Sequence, residues 1–290
     1  MESPTPSLSI VLPCLNEANN LEALLPKLQK AQPNADILVV NDGSSDDSAK
    51  ICEQHGVRVV SHPTPLGNGA AIKTGARNAT GDIIVFMDAD GQHNPDDIQR
   101  LLNKLDQGYD MVVGARQSDS HASRKRLIGN TVFNKLASFM TGQKIEDLTS
   151  GFRAVRAKHF KKFLYLLPNG FSYPTTSTMA FFRSALPVAY IPIQAGKREG
   201  KSKIKLLKDG LRFFVIILKI GALFSPMRLF LPTSGVFFLL GLINHIESYI
   251  NSGKFSNGSL LLYTSSVFIF LMGILSEQIS SLHYKNANND

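Results

Sequence analysis

Short apolar runs alternate with longer amphipathic stretches through roughly the first 200 residues. Leu8–Leu12, Asp36–Val40, Val57–Ser61, Asp82–Met87 and Asp110–Val113 are bounded by Gly, Pro, Asp or Asn, as strands are. Residues 18–31, 45–55, 67–79 and 95–107 carry the spacing of helices between them. Strands alternating with helices predict an α/β fold, a mostly parallel sheet with helices on both faces. In such a sheet the ligand crevice opens outside the carboxyl ends of the strands. Two acidic clusters fall there: Asn41-Asp42-Gly43-Ser44 after the second strand and Asp88-Ala89-Asp90 after the fourth.

The pattern changes in the C-terminal third. Leu229–Ile250 is a largely apolar stretch of 22 residues, and Leu260–Leu282 is a second of 23. At ~1.5 Å per residue each reaches ~33 Å, enough to cross a hydrocarbon core of ~30 Å. Glu247 and Glu277 sit near the segment ends, where a charge reaches the interface cheaply. Residues 197–212 hold Lys197, Arg198, Lys201, Lys203, Lys205, Lys208 and Arg212 against Glu199 and Asp209, a net +5. Leu206–Phe224 mixes apolar residues with Lys208, Arg212 and Lys219, as a helix lying in a membrane interface does. The loop Asn251–Ser259 has a single Lys, so the positive-inside rule puts the large domain in the cytoplasm. The expected organisation is a globular domain over 1–200, a basic amphipathic juxtamembrane segment over 201–226, and a two-helix transmembrane hairpin over 227–284.

Composition narrows the class. The 290 residues carry a formal net charge of +8, two cysteines and no tryptophan. Cys14 and Cys52 are too few for a disulfide scaffold and lie where reduced core thiols are expected. The first six residues lack the basic and apolar regions of a secretory signal. Nucleic acid is excluded as a partner, because the basic excess lies beside the apolar segments and no aromatic-plus-basic motif accompanies it.

Asp88-Ala89-Asp90-Gly91-Gln92-His93 carries the most chemistry. Two carboxylates after a buried strand suit a hard divalent cation, Mg²⁺ or Mn²⁺, which takes one or two protein oxygens and fills its shell with phosphate and water. Such an ion can carry charge building on a diphosphate leaving group. Asp42 directly follows a strand and can accept a hydrogen bond from a nucleobase, Glu17 can hold a ribose, and Asp46 is placed to cap the following helix.

Val11-Leu12-Pro13-Cys14-Leu15-Asn16-Glu17, Asn41-Asp42-Gly43-Ser44, Asp88-Ala89-Asp90-Gly91-Gln92-His93 and Gly114-Ala115-Arg116 occur in that order. Together they resemble the nucleotide-sugar domain of family 2 glycosyltransferases with the Rossmann-like GT-A fold. Thr149-Ser150-Gly151-Phe152-Arg153 and Arg198-Glu199-Gly200-Lys201-Ser202-Lys203 resemble the polyprenyl-phosphate branch, which includes dolichyl-phosphate mannose synthases and undecaprenyl-phosphate glucosyltransferases. The resemblance covers residues 7–225, and two terminal spans match bacterial members.

The resemblance implies an inverting, metal-dependent hexosyltransferase acting at the cytoplasmic membrane face. Asp88, Asp90 and Gln92 would bind the metal and donor diphosphate. Pro13, Glu17 and Asp42 would line the nucleoside pocket, and Arg198 and Lys203 would close over the phosphates. Arg116 and Arg126 would grip the phosphate of a polyprenyl phosphate, beside Asn130 where relatives have a serine. GDP-mannose and UDP-glucose are the leading donors, and residues 60–80 give no ground for choosing. Self-association of related two-span enzymes implies a homo-oligomer.

The acceptor sets the mechanism. A lipid monophosphate, with a second pKa of about 6, is largely dianionic at pH 7 and needs positioning and cations more than a strong base. Asp147 is the spare carboxylate nearby, able to orient an arginine or serve as a base. His93 reads as a packing residue, and His245, in the first span, has no evident role. Three other readings compete. A processive polysaccharide synthase would resemble its kind in a Gln-x-x-Arg-Trp motif, impossible without tryptophan. A nicotinamide dehydrogenase fails because Gly67-Asn68-Gly69 is followed by Ile72 where a third Gly belongs. A membrane-anchored nucleotide-sugar-binding scaffold without turnover is opposed by the intact acids and arginines.

Overall fold

The computed structural model describes residues 6–117, 124–170, 172–194, 196, 218, 221–222 and 224–287, with side chains throughout except at 124–130 and 283–287. Seven strands form one sheet: β1 (Leu8–Cys14), β2 (Asp36–Asn41), β3 (Arg58–Ser61), β4 (Ile83–Phe86), β5 (Met111–Arg116), β6 (Arg153–Arg156) and β7 (Val188–Ile193). Their order is β3-β2-β1-β4-β6-β5-β7. All neighbours are parallel except β6, which runs antiparallel to both β4 and β5.

Helices α1 (Ala18–Ala31), α2 (Ser48–Gln54), α3 (Asn68–Asn78) and α4 (Asp97–Leu105) follow the first four strands, as the sequence pattern predicts. Beyond β5 come α5 (Arg124–Thr141), α6 (Ala157–Lys162) and α7 (Tyr173–Arg183). β1 and β4 are central strands, which is why Ile10–Leu12 and Ile83–Met87 read as apolar runs. Ile10, Leu12, Val39 and Val85 share one core with Leu21, Leu25 and Leu28 of α1 and Ile98, Leu101 and Leu105 of α4. Phe86 meets Phe160 of α6 at 4.7 Å between ring centroids and the Tyr173 ring of α7 at 6.2 Å.

The reversal of β6 positions the site. Because β6 runs against its neighbours, the loop leading into it, residues 147–152, lies at the same edge as the carboxyl ends of β4 and β5. Those ends lead to Asp88 and Arg116.

The chain divides into two compact units, Met1–Lys135 with Lys144–Leu207, and Leu136–Gln143 with Lys208–Asp290. The second contains α8 (Pro226–Ser252) and α9 (Asn257–Ala287), both long and apolar enough to cross a bilayer. Large apolar side chains such as Leu239, Ile243, Ile250, Phe268, Leu275 and Leu282 are exposed on them. Between them runs a polar seam: the Ser234 hydroxyl donates to Ser266 O at 3.0 Å, the Ser266 hydroxyl returns to Ser234 O at 2.9 Å, and Ser259 donates to Asn244 Oδ1 at 2.9 Å. Each bond satisfies a hydroxyl that lipid cannot. His245 lies among the rings of Tyr249, Phe255 and Tyr263. The interfacial stretch 206–224 falls mostly outside the described residues.

Candidate active site at the carboxyl edge of the sheet

The loops after β1 and β2 are tied to each other. Asn16 sits at φ +57°, tolerated by Asn, and its N–H donates to Ser44 Oγ at 2.9 Å while its Oδ1 accepts from Ser45 N at 2.8 Å. Asp46 binds the first residue of α1 and of α2, the helices that follow these two loops: Oδ2 accepts from Ala18 N at 3.0 Å and Oδ1 from Ser48 N at 3.1 Å. Glu17 accepts from Asn20 Nδ2 at 2.5 Å and lines an open cleft of about 640 Å³ with Asn16, Asn20, Ser45, Asp46 and Asp47. Of the three nucleoside-pocket candidates, only Glu17 lines that cleft. Pro13 lies within β1, opposite Val40.

Asp42 is more deeply engaged than its position in the sequence suggests. It is buried, with His62 Nδ1 at 2.7 Å and the Leu66 N–H at 2.9 Å on Oδ1, and the Gly67 N–H at 2.8 Å on Oδ2. Burial alone would raise its pKa, but the His62 and backbone hydrogen bonds outweigh that and hold it below the usual carboxylate range. His62 Nε2 in turn meets Thr74 Oγ1 at 2.9 Å. This carboxylate anchors the 62–67 loop. The loop leads into α3, whose first-turn amides are also spent, Gly69 N on Gly170 O at 3.0 Å and Ala70 N on Asn169 O at 2.9 Å. Gly67, at φ +105°, has no room for a Cβ, which would lie 2.6 Å from Asn169 O. The Gly67-Asn68-Gly69 stretch thus serves a loop contact.

At the end of β4, Asp88 and Asp90 are half-buried and flank the buried Ala89. A Cβ on Gly151 would lie 3.1 Å from Asp88 Oδ2 and 3.2 Å from the Tyr173 hydroxyl, so only glycine fits without displacing the acid or the ring. Tyr173 donates to Gly151 O at 2.9 Å, fixing that seat. Gln92 O accepts from Gly196 N at 2.8 Å, and its Nε2 donates to Gly196 O at 3.3 Å. Those bonds bring the chain beside the acidic motif just before the basic segment begins. A role for Gln92 at a metal would fall to its Oε1.

Arg116, at the end of β5, is held by Asp147 in a two-pronged pair: Nε to Oδ2 at 2.8 Å and Nη2 to Oδ1 at 3.0 Å. Nη2 also donates to Thr149 Oγ1 at 2.6 Å. Burial works against the Asp147 charge, but the Arg116 hydrogen bonds and charge prevail and its pKa is lowered. Asp147 therefore orients an arginine, the first of its two possible roles. Arg153, at the start of β6, is fully buried and bonds Pro174 O at 3.0 Å, Ser177 Oγ at 2.8 Å, Thr178 Oγ1 at 3.2 Å and, very closely, Ser150 O. All these partners are neutral. Arg126 and Asn130 lie on α5, but their side chains are outside the described ones, as are Arg198 and Lys203 entirely.

His93 is buried and stacked on Phe152 at 4.8 Å and 17°. Burial pushes it down to about 4, so the ring is neutral at pH 7. The unfolded chain takes up its proton near pH ~6.5. The stability the neutral ring contributes is therefore full above that pH and is lost as pH falls toward about 4. His93→Phe, which keeps the stacking, is expected to flatten the fall in melting temperature across that window. A melting curve series against pH checks it, and an unchanged slope would contradict the assignment. Cys14 and Cys52 are buried free thiols, both raised by burial, Cys52 to about 12, so neither is a poised nucleophile.

The metal question can be put to the donors present. Among the described residues no three His, Cys, Asp or Glu side chains form a ready metal cage. Two carboxylates at a partly open edge suit an ion that keeps water and phosphate in its shell, as Mg²⁺ and Mn²⁺ do. The donor set fits a metal shared with substrate.

The sheet order, the reversed β6 and the acid pair beside an oriented arginine define a GT-A sugar-transfer fold. Solved structures agree on the fold: glucosyl-3-phosphoglycerate synthase from Mycobacterium tuberculosis with phosphoglyceric acid superposes at TM-score 0.61 and 20% identity, covering 74% of this chain and 80% of that one. Its complex with Mn²⁺, UDP and glucosyl-3-phosphoglycerate gives 0.59 and 21%, with the same coverage. Residues 9–164 match Glycosyl transferase family 2, and residues 225–282 match the GtrB C-terminal hairpin. The chain belongs to the family 2 glycosyltransferases. The polyprenol monophosphomannose synthase of Mycolicibacterium smegmatis is 30% identical over 217 residues, covering 69% of this chain and 82% of that protein. The undecaprenyl-phosphate 4-deoxy-4-formamido-L-arabinose transferase of Klebsiella pneumoniae is 30% identical over 249 residues, covering 82% and 74%.

Proposed function

We propose that the protein transfers one hexose, glucose or mannose, from a nucleotide-sugar to a polyprenyl phosphate, with inversion, at the cytoplasmic face of a membrane. The observation that carries this reading is the 147–152 loop. Through Gly151 it seats Asp88, and through Asp147 it orients Arg116, so donor and acceptor groups converge on one edge. The polyprenyl-phosphate relatives, similar over most of this chain, support the acceptor class.

In this reading residues 1–200 form the catalytic domain, 201–226 a basic segment on the lipid headgroups, and 227–284 a membrane hairpin. Asp88 and Asp90, with Gln92 Oε1, hold Mg²⁺ or Mn²⁺. The ion, when bound, offsets charge developing on the departing nucleoside diphosphate. Pro13, Glu17 and Asp42 line the nucleoside pocket, and Arg198 and Lys203 close over the diphosphate. Arg116 enters the reaction pre-oriented: three of its five N–H donors are fixed by Asp147 and Thr149, and Nη1 carries the other two toward the acceptor phosphate. Arg126 and Asn130 add contacts from α5. Since Asp147 is committed to Arg116, the acceptor phosphate attacks as its own dianion, without a protein base.

The test uses detergent-purified full-length protein, undecaprenyl phosphate, Mn²⁺ and labelled nucleotide-sugars. Label is expected to pass into the organic phase and to stop with EDTA. Donor binding with no transfer to undecaprenyl or dolichyl phosphate would sink the acceptor claim and favour a non-catalytic scaffold or a different acceptor.

A further inference from the structure

The carboxylate that aims Arg116 stands off the sheet. Arg116 is the last residue of β5 and is in register with Ile193 of β7, so strand pairing fixes its backbone. Asp147 lies in the 142–152 connection between α5 and β6, outside any strand or helix. Burial of Ile145 and Leu148 sets the depth of that loop. Apolar burial is non-directional, however, and leaves open how the loop is rotated. Rotation decides where the Asp147 side chain points.

A side chain of α5 fixes it. Asn134 Nδ2 donates to Glu146 O at 2.6 Å, and Asn134 Oδ1 accepts from the Leu148 N–H at 3.0 Å. Glu146 O belongs to the planar peptide entering Asp147, and Leu148 N to the planar peptide leaving it. The Cα–Cβ direction of Asp147 is therefore set from both ends. The task needs a donor and an acceptor side by side on one short side chain, which a carboxamide has. Aspartate lacks the donor, and leucine lacks both.

We infer that Asn134 is a positioning residue for transfer to the acceptor: it sets Asp147, which in turn aims Arg116 at the acceptor phosphate. It acts through two intermediaries and need not touch either substrate. Asp147 Oδ2 accepts the Arg116 backbone N–H at 3.2 Å as well as Nε, and Oδ1 accepts the Thr149 N–H at 3.1 Å as well as Arg116 Nη2. That set forms only when Asp147 leaves the loop toward β5, which the clamp on its two peptides secures. Arg126, Asn130 and Asn134 also recur at intervals of four along α5, positions that follow one stripe of a helix. The helix bearing the other two acceptor candidates thus also anchors the loop that aims Arg116. The inference rests on the reading of Arg116 as an acceptor ligand.

The experiment compares full-length wild type and Asn134→Leu in detergent, with undecaprenyl phosphate, Mn²⁺ and the labelled nucleotide-sugar that the wild type transfers. Asn134 is half-buried, so water can reach the two freed backbone groups and the variant is expected to fold; Asn134→Ala takes its place if it does not. The kcat/KM for the lipid is expected to fall about 10- to 10²-fold, the scale of a misplacement of about 1 Å, while calorimetric binding of the nucleotide-sugar without lipid is unchanged. Thr149→Val removes one bond from the same arginine seat, so the double variant should lose less than the product of the two single losses. A lower melting temperature with unchanged lipid kcat/KM, an equal loss of nucleotide-sugar binding, or single losses that simply multiply would each overturn the inference. No transfer to polyprenyl phosphate by the wild type would instead bring down the acceptor reading, and the inference with it.

Discussion

Asp90→Ala is expected to remove transfer of labelled sugar to polyprenyl phosphate, with a loss on the order of 10²–10³-fold or more, the scale on which a single group stabilising developing charge acts. The side chain is half-buried at the end of β4, and its Oδ1 accepts from the Gln92 N–H at 3.2 Å. Its removal takes little from the core, so the melting temperature should change by only a few degrees. Asp88→Asn is the companion variant. The amide keeps the shape seated against Gly151 and Tyr173 but lacks the charge. Both should lose Mn²⁺-dependent binding of nucleoside diphosphate together with activity. Full transfer by either variant would remove the acid pair from the mechanism.

Arg153→Ala is expected to destabilise the domain strongly. The guanidinium is fully buried, and its partners Ser150 O, Pro174 O, Ser177 and Thr178 have no solvent to turn to. Truncation leaves acceptors unsatisfied and opens a cavity, together about 3–5 kcal/mol. In a domain of this size that is a fall of roughly 6–20 °C in melting temperature. Arg153→Met separates the two causes, since it restores most of the volume beside Met111 without restoring the hydrogen bonds. A burial cost is also relieved when the charge goes, because burial lowers the Arg153 pKa and no acid bonds it directly. Thermal unfolding should place the Met variant between wild type and Ala. A Met variant as weak as Ala would assign the effect to hydrogen bonds alone. Because Ser150 immediately precedes Gly151, which seats Asp88, both variants should also lose activity in excess of their unfolded fraction.

The sequence made the first half of the sheet legible because β1, β2 and β4 are buried on both faces and read as apolar runs ending in Asn41 or just short of Asp88. β6 and β7 were not legible. β6 is four residues, two of them arginine, and β7 contains Pro192, so neither shows an apolar run or a clean alternation. The residues of the site were found by their place after strands, but their partners were not. His62 lies 20 positions from Asp42, and Asp147 lies 31 from Arg116. No spacing rule connects such pairs; the first needs β3 to lie beside β2, and the second needs β6 to run backwards. Arg153 stood inside a recognisable motif, but its burial among neutral acceptors is a property of α7 closing over it. The hairpin was plain from length and apolar content alone.

The single antiparallel strand also dictates an order of assembly. β3-β2-β1-β4 and the helices between them need only residues 8–86 and can form while the rest of the chain is still being synthesised. β5 has no partner in that half-sheet, because β6 is its only bridge to β4. It must wait about 40 residues for β6, so Arg116 emerges well before Asp147. The second half closes only when β7 (Val188–Ile193) has joined β5, and the apolar hairpin begins roughly 30 residues later. The nascent chain thus completes its acid-bearing edge last, shortly before the apolar hairpin emerges, and in the interval β4 presents an open edge to whatever attends the ribosome.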